Sequence, residues 1–365
     1  MTGCIKSSVQ VVDVARSTKS GLPEPFLDCV YKDTPSGPLY LRIWPSSTVT
    51  PSGVSPWAFN IHGGGFLHGD HLRPMIWHSR GFLERGIHVV SISYRFAPHV
   101  SFREILGDCL DAYAWCQAHL ANIMRRHGRR IDMDRCVSVG GSAGGTLATI
   151  IGHIARPRIR CVVNCCGIID LTKPLPAIRP DPTFLALNED IITEEKLQLE
   201  IRSQSSARAT SWCPNLSEDL PPEQSEDGHD PSCTPWVVTR GTKIQFELFK
   251  QIFGRNLMIP VVFRRDNFVS DKAYQDELRS FSAINMVDES YPPTIILHGL
   301  EDDIVQVEQS RSFARVLKKK RIPVREVYVP DAGHSVGLSW KDENQLEWKT
   351  YVRPMLDDIV LFSSA

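Results

Sequence analysis

The run Gly140-Gly141-Ser142-Ala143-Gly144-Gly145 constrains this chain more than any other feature. It follows the apolar stretch Cys136–Gly140, which reads as a short strand, and precedes Thr146–Ala155, which reads as a helix. A serine in a G-x-S-x-G frame between such elements matches a nucleophile elbow. The sharp turn forces strained backbone at the serine, and small neighbours let strand and helix approach closely. The helix would aim its free N–H groups and the positive end of its dipole at a developing oxyanion. A glycine-rich turn that only packs strand on helix would use the same residues, so the motif alone leaves both readings open.

A second glycine run narrows the choice. His62-Gly63-Gly64-Gly65-Phe66 follows the strand-like segment Trp57–Ile61. Consecutive glycines can present backbone N–H donors to one point without side chains in the way, as a tetrahedral intermediate requires. The chain order serine, acid, histidine then predicts the remaining groups. Asp302 and Asp303 lie after the strand Thr294–His298, in His298-Gly299-Leu300-Glu301-Asp302-Asp303, and His334 lies after the strand Val324–Val329. Both loops would open on the sheet edge that carries the elbow. His62 reads as a loop organiser, and His298 as a residue that could orient the acid loop.

The rest of the chain reads as strands alternating with amphipathic helices, the pattern of a mostly parallel sheet flanked by helices. Further strands are expected at Phe26–Lys32, Leu39–Trp44, His88–Tyr94 and Cys161–Asp170. Helices are expected near Trp77–Arg85, over Phe102–His127 and Val307–Lys319, and over Glu343–Leu361 with a break near Pro354. Between Leu171 and Tyr291 the alternation stops, but helical pieces at Thr193–Ile201, Thr242–Phe253 and Asp271–Ser280 argue for an inserted helical cap. The expected organisation is a catalytic domain over 1–170 and 291–365, with a cap over 171–290. Within the cap, the stretch from Cys213 to Pro235 carries six acidic residues and no Lys or Arg, and reads as mobile, solvated loop.

Composition excludes several classes. A formal net charge of -1 gives no field to steer nucleic acid or an anionic membrane. No run of about eighteen apolar residues suggests a membrane span, and the N-terminal residues lack the apolar core of a signal peptide. The ten cysteines are scattered without metal-ligand spacing, so buried reduced thiols and a cytoplasmic setting are expected. No HExxH or phosphate-binding GxxxxGK[ST] occurs, so no metal or cofactor is expected. Oligomeric state is not legible.

The sequence resembles a known group. HGGGF at His62, YRFAP at Tyr94–Pro98 and GGSAGG at Gly140 are similar to the hormone-sensitive-lipase branch of the α/β-hydrolases, which typically shows HGGGF, YRLAP and GDSAGG. The His298–Val305 and Asp331–Val336 segments resemble the acid and histidine loops of the wider esterase, lipase and kynurenine-formamidase-like group. The likeness covers roughly residues 57–170 and 291–361. It implies an α/β-hydrolase fold, Ser142 as nucleophile, His334 as base and Asp302, at the HGxxD position, as acid, with Asp303 as fallback. It also implies an oxyanion hole from the backbone of Gly64, Gly65 and Ala143. Gly141 departs from the family, which usually has Asp or Glu there.

The expected function is cleavage of a carboxylic ester on a small-molecule acyl substrate, with Phe66 and Leu67 against the substrate and Trp212, Phe246 and Phe249 as further candidates for the pocket wall. The alternatives are a thioesterase, lactonase, formamidase or acyltransferase on a biosynthetic intermediate, and, from another class, a non-catalytic ligand receptor on a hydrolase fold. A lipase working at an oil–water interface is disfavoured by the lack of a basic amphipathic helix.

Overall fold

The computed structural model describes residues 11–12, 26–48, 50, 52–72, 74–180, 182–212 and 240–364. Among these, nine strands form one sheet in the order β1-β2-β3-β5-β4-β6-β7-β8-β9. They are β1 Val11–Val12, β2 Leu27–Thr34, β3 Gly37–Trp44, β4 Ser55–Ile61, β5 His88–Ile92, β6 Ile131–Gly141, β7 Cys161–Cys165, β8 Thr294–Gly299 and β9 Val324–Val329. β1, β2, β3 and β5 pair antiparallel in sequence; all pairs from β5 to β9 are parallel. The helices are α1 Phe82–Glu84, α2 Phe102–Arg126, α3 Ala143–Ile154, α4 Pro182–Leu185, α5 Glu194–Arg202, α6 Arg240–Gly254, α7 Met258–Val262, α8 Asp271–Phe281, α9 Glu308–Lys319 and α10 Arg353–Ser364.

The central strands β4, β5, β7 and β8 are buried along their whole length, as expected where helices cover both faces of a parallel sheet. One face carries Phe59, Ile61, Val90 and Ile92 beneath Ile105, Cys109, Cys116 and Leu120 of α2. The other carries Val89, Val137, Val139 and Val163 against Met355, Leu356 and Ile359 of α10. α2 starts where the sequence dictates: Ser101 caps it and Glu104 returns a bond to the Ser101 N–H at 2.8 Å, a capping box. β7 is shorter than expected, because Cys166 turns into a positive φ of 45° and ends the pairing. The break near Pro354 takes the form of a π-helical turn over Trp348–Val352 before α10, consistent with a proline that cannot donate to the preceding turn.

The insertion between β7 and β8 contains α4 to α8. The acidic stretch from Cys213 to Pro235 lies outside the described residues. The seven described cysteines, from Cys29 to Cys166, are all free and buried. No helix among the described residues is long and apolar enough to cross a membrane.

A buried ion pair holds the YRFAP segment beside this sheet. Arg95 donates through Nε and a terminal nitrogen to both oxygens of Asp108 at 2.8 Å, and its own N–H reaches the same carboxylate. Lys32 adds a second cation at 2.7 Å. Asp108 is fully buried, so removing its carboxylate strands the guanidinium in a dry site. Asp108→Ala is therefore expected to cost about 3–5 kcal/mol in urea unfolding. A loss of about 0–1 kcal/mol, the value of a surface pair, would contradict this.

Candidate active site

Strand register brings the polar loops together. Ile61 of β4 lies opposite Gly140 of β6, Gly141 opposite Cys165 of β7, Cys165 opposite Leu297 of β8, and Gly299 opposite Val329 of β9. Because these strands are parallel, the chain leaves all of them at one edge. His62, Ser142, Cys166, Asp302 and His334 are the first residues past that edge or lie within five of it.

Ser142 stands at φ 54°, ψ −124°, a conformation that a side chain rarely adopts. Its N–H donates to Cys165 O at 2.8 Å and its carbonyl accepts from Thr146 N–H at 3.0 Å, so the turn is held from both sides. The close approach needs glycine at position 144, where a Cβ would lie 2.1 Å from Ile61 O. At Gly141, the departure from the family pattern, a Cβ would meet Met75 Cε at 2.3 Å. Met75 thus fills the space that an acidic side chain would need.

His334 Nε2 lies 2.9 Å from Ser142 Oγ, and His334 Nδ1 lies 2.9 Å from Asp302 Oδ2. The carboxylate can only accept, so Nδ1 carries the proton and Nε2 is left to accept from the serine hydroxyl. Asp302 Oδ1 accepts from Ile304 N–H at 2.9 Å and Val305 N–H at 2.8 Å. Its Oδ2 also lies 3.0 Å from His298 Nε2. Val305 O, 2.7 Å from the same nitrogen, also only accepts, so His298 Nε2 carries a proton, while Nδ1 lies in hydrogen-bond contact with Ser310 Oγ at 2.7 Å. His298 therefore orients the acid loop. Asp303 is exposed to solvent beside it.

Electrostatics follow from these contacts. Burial raises the Asp302 pKa, but bonds from His298 and His334 outweigh it and hold the carboxyl well below the ordinary range. Burial likewise works against a charged His334, yet the bond to Asp302, with Cys166 adding to it, lifts the imidazole above its ordinary value. Cys166 Sγ donates to His334 O at 3.5 Å, which fixes the backbone of the histidine loop. Other histidines at the cavity are driven the opposite way by burial, His62 and His78 to about 3 and His68 to about 4. They stay neutral where His334 titrates.

The cavity in front of Ser142 has a volume of ≈ 660 Å³, and its lining includes Gly64, Gly65, Ser142 and His334. Gly64 adopts φ 103°, and a Cβ there would lie 2.0 Å from His68 O, so the glycine run can make this tight turn only without side chains. Ala143 begins α3, where an N–H has no partner within the helix. Phe66 and Leu67, expected against the substrate, are not at this cavity. Both are fully buried in the core, Phe66 edge-on to Phe102 at 5.4 Å, where successive positive φ angles at Gly64, Gly65 and Phe66 turn the chain. Of the other aromatic candidates Phe249 lines the cavity, whereas Trp212 and Phe246 do not.

Sequence reasoning missed the residues that hold the glycine loop. Tyr94 stacks on His62 with ring centres 4.2 Å apart and donates its hydroxyl to His62 O at 3.0 Å. Gln245, from α6 of the insertion, donates through Nε2 to Leu67 O at 2.6 Å and Ala97 O at 2.9 Å. The YRFAP motif pointed to Tyr94 without its role; nothing in the sequence pointed to Gln245.

Residues 58–213 match a family described as alpha/beta hydrolase fold, and residues 263–352 match the prolyl oligopeptidase family. An esterase from Pyrobaculum calidifontis superposes with a TM-score of 0.59 at 18% identity, over 95% of this chain and 88% of that one. The chain has the α/β-hydrolase fold. Among curated proteins, this α/β-hydrolase is 35% identical to the non-reducing polyketide synthase stbA of Stachybotrys bisbyi over 90% of its own length and 14% of that protein. It is 26% identical to the probable carboxylic ester hydrolase LipM of Mycobacterium tuberculosis, over 55% of its length and 47% of LipM. The chain spans 15%, 14% and 12% of three polyketide synthases that it matches.

The Asp302 bond sets the basicity of His334, and this can be read without substrate. In a proton NMR titration the His334 imidazole is expected to titrate above the ordinary histidine value of about 6.5, and to fall toward or below it in Asp302→Asn. An unchanged value in Asp302→Asn would contradict the assignment.

Proposed function

We propose that this α/β-hydrolase is a serine hydrolase that cleaves a carboxylic ester through an acyl-enzyme intermediate. The observation that carries the reading is the hydrogen-bonded line from Ser142 Oγ through His334 to Asp302, with 2.9 Å at each step. In this mechanism Ser142 Oγ attacks the acyl carbon as His334 Nε2 takes its proton. Asp302 stays ionised and holds the imidazolium by its Nδ1–H. The N–H groups of Gly64, Gly65 and Ala143 receive the negative charge on the carbonyl oxygen. His334 then gives its proton to the departing alkoxide, and a water deprotonated by the same nitrogen releases the acid. The insertion acts as a cap over the rim, tied down by Gln245 and bringing Phe249 to the cavity wall.

One observation favours a second reading with the same three residues. The likeness to stbA runs along 90% of this chain, so it reaches through the insertion as well as the sheet. A segment of a polyketide synthase that looks like this chain motivates an acyl thioester as substrate, released by water or passed to another nucleophile. The first steps are identical, with a thiolate leaving in place of an alkoxide.

Ser142→Ala is expected to lower kcat/KM on p-nitrophenyl esters by about 10⁴-fold or more. Full turnover by the variant would sink the proposal, and tight ligand binding with no turnover by wild type would revive the receptor reading. Comparing an oxygen ester with the N-acetylcysteamine thioester of the same acid separates the two substrates. A kcat/KM about tenfold or more higher on the thioester, beyond its intrinsic reactivity, selects the second.

A further inference from the structure

A second chamber, of ≈ 430 Å³, lies against the Ser142 cavity and shares two of its wall residues, Phe253 and Ile304. Its volume alone falls within the roughly 300–1,000 Å³ typical of small-molecule sites. We propose that this chamber receives an elongated, mainly apolar arm of the substrate, one that carries a hydroxyl or carbonyl oxygen. The inference rests on the hydrolase reading and deepens it.

The chamber opens beside the reacting groups. Ile304 stands two residues past Asp302, and its N–H is held by Asp302 Oδ1 at 2.9 Å, so this shared wall is fixed by the same carboxylate that orients His334. Phe253, the other shared wall, comes from α6, the helix that Gln245 anchors to the glycine loop. The walls are otherwise built by the insertion: Leu175 and Ile178 before α4, Ile259 in α7, and Tyr274 in α8. Pro174, Pro176 and Pro260 also line it. Proline fixes its own backbone angle, so the walls lose little freedom when a ligand enters.

The apolar majority of these residues selects hydrocarbon or an aromatic body. Tyr274 adds a specific demand. It lines the chamber, is buried, and its hydroxyl has no hydrogen-bond partner among the described residues. Burial pushes that phenol up to about 12, so it remains a neutral donor. A ligand oxygen would complete its hydrogen bonding. A short acyl ester would occupy the Ser142 cavity and leave the second chamber unused.

The arm is either the acyl chain or the alcohol, and two series tell them apart. One series is p-nitrophenyl esters from acetate to decanoate; the other is acetate esters from ethanol to decanol. Wild type is expected to prefer the long member in one series. Ile259→Trp and Ile178→Trp, each filling the chamber from a half-buried wall position, should lower the long-to-short ratio of kcat/KM in that series by about tenfold or more. Leu199→Trp, on the exposed side of α5, should leave the ratio unchanged. Tyr274→Phe should lower the preference for an ω-hydroxylated arm over its deoxy counterpart by about tenfold. A length profile that depends on Ser142 but ignores both tryptophans in both series overturns the chamber and leaves the hydrolase reading intact. Turnover of the acetate that survives Ser142→Ala overturns the reading itself.

Discussion

Parallel pairing of β4, β6, β7, β8 and β9 is the constraint on which the site depends. Parallel strands in register end at the same edge, and a loop of only a few residues then suffices to bring a side chain to a common point. Ser142 follows β6 directly, Asp302 lies three residues past β8, and His334 five past β9. Residues 192 and 32 apart in sequence thus meet at hydrogen-bond distance, on loops too short to wander. The strain at Ser142 belongs to the same constraint. Its positive φ persists because Cys165 O and Thr146 N–H hold the turn, and because Gly144 lets α3 start against the end of β4.

The opposite wall of the cavity depends on a separate chain of contacts. Asp108 pins Arg95, and Tyr94, the residue before it, presses on His62 and takes up its carbonyl. Ala97 N–H donates to Phe66 O at 3.0 Å, and Gln245 reaches the carbonyls of Leu67 and Ala97 together. The glycine loop is therefore clamped between the YRFAP segment and the insertion. The clamp gives a physical reason for the motif: its tyrosine and arginine hold the loop whose glycines face the cavity.

Much of this was legible in the sequence, for reasons that differ between elements. Strands β4, β5, β7, β8 and β9 and helices α2, α3 and α9 stand out because apolar periodicity, and for α2 the Ser101 capping box, define them without reference to distant residues. Ser142, Asp302 and His334 could be named as candidates because each follows a strand in a short glycine-marked loop. Phe66 and Leu67 could not be placed, since whether a side chain after a glycine turn points to the cavity or the core depends on the backbone angles through Gly64, Gly65 and Phe66, which the residue types leave open. Met75 opposite Gly141, Gln245 on the glycine loop and Ile304 between two cavities are tertiary contacts with no local signature. The family departure at Gly141 marked a difference in space without telling what filled it.

The neutral histidines around the cavity and the raised pKa of His334 suit a single proton carrier. Burial keeps His62, His68 and His78 uncharged, whereas His334, bonded to Asp302, gains basicity. The nucleophile assignment is tested most directly by trapping. After inhibition with an alkyl fluorophosphonate, peptide mapping by mass spectrometry should find one adduct, on Ser142, appearing as esterase activity disappears. An adduct at another residue with activity lost, or full activity with Ser142 modified, would contradict the account.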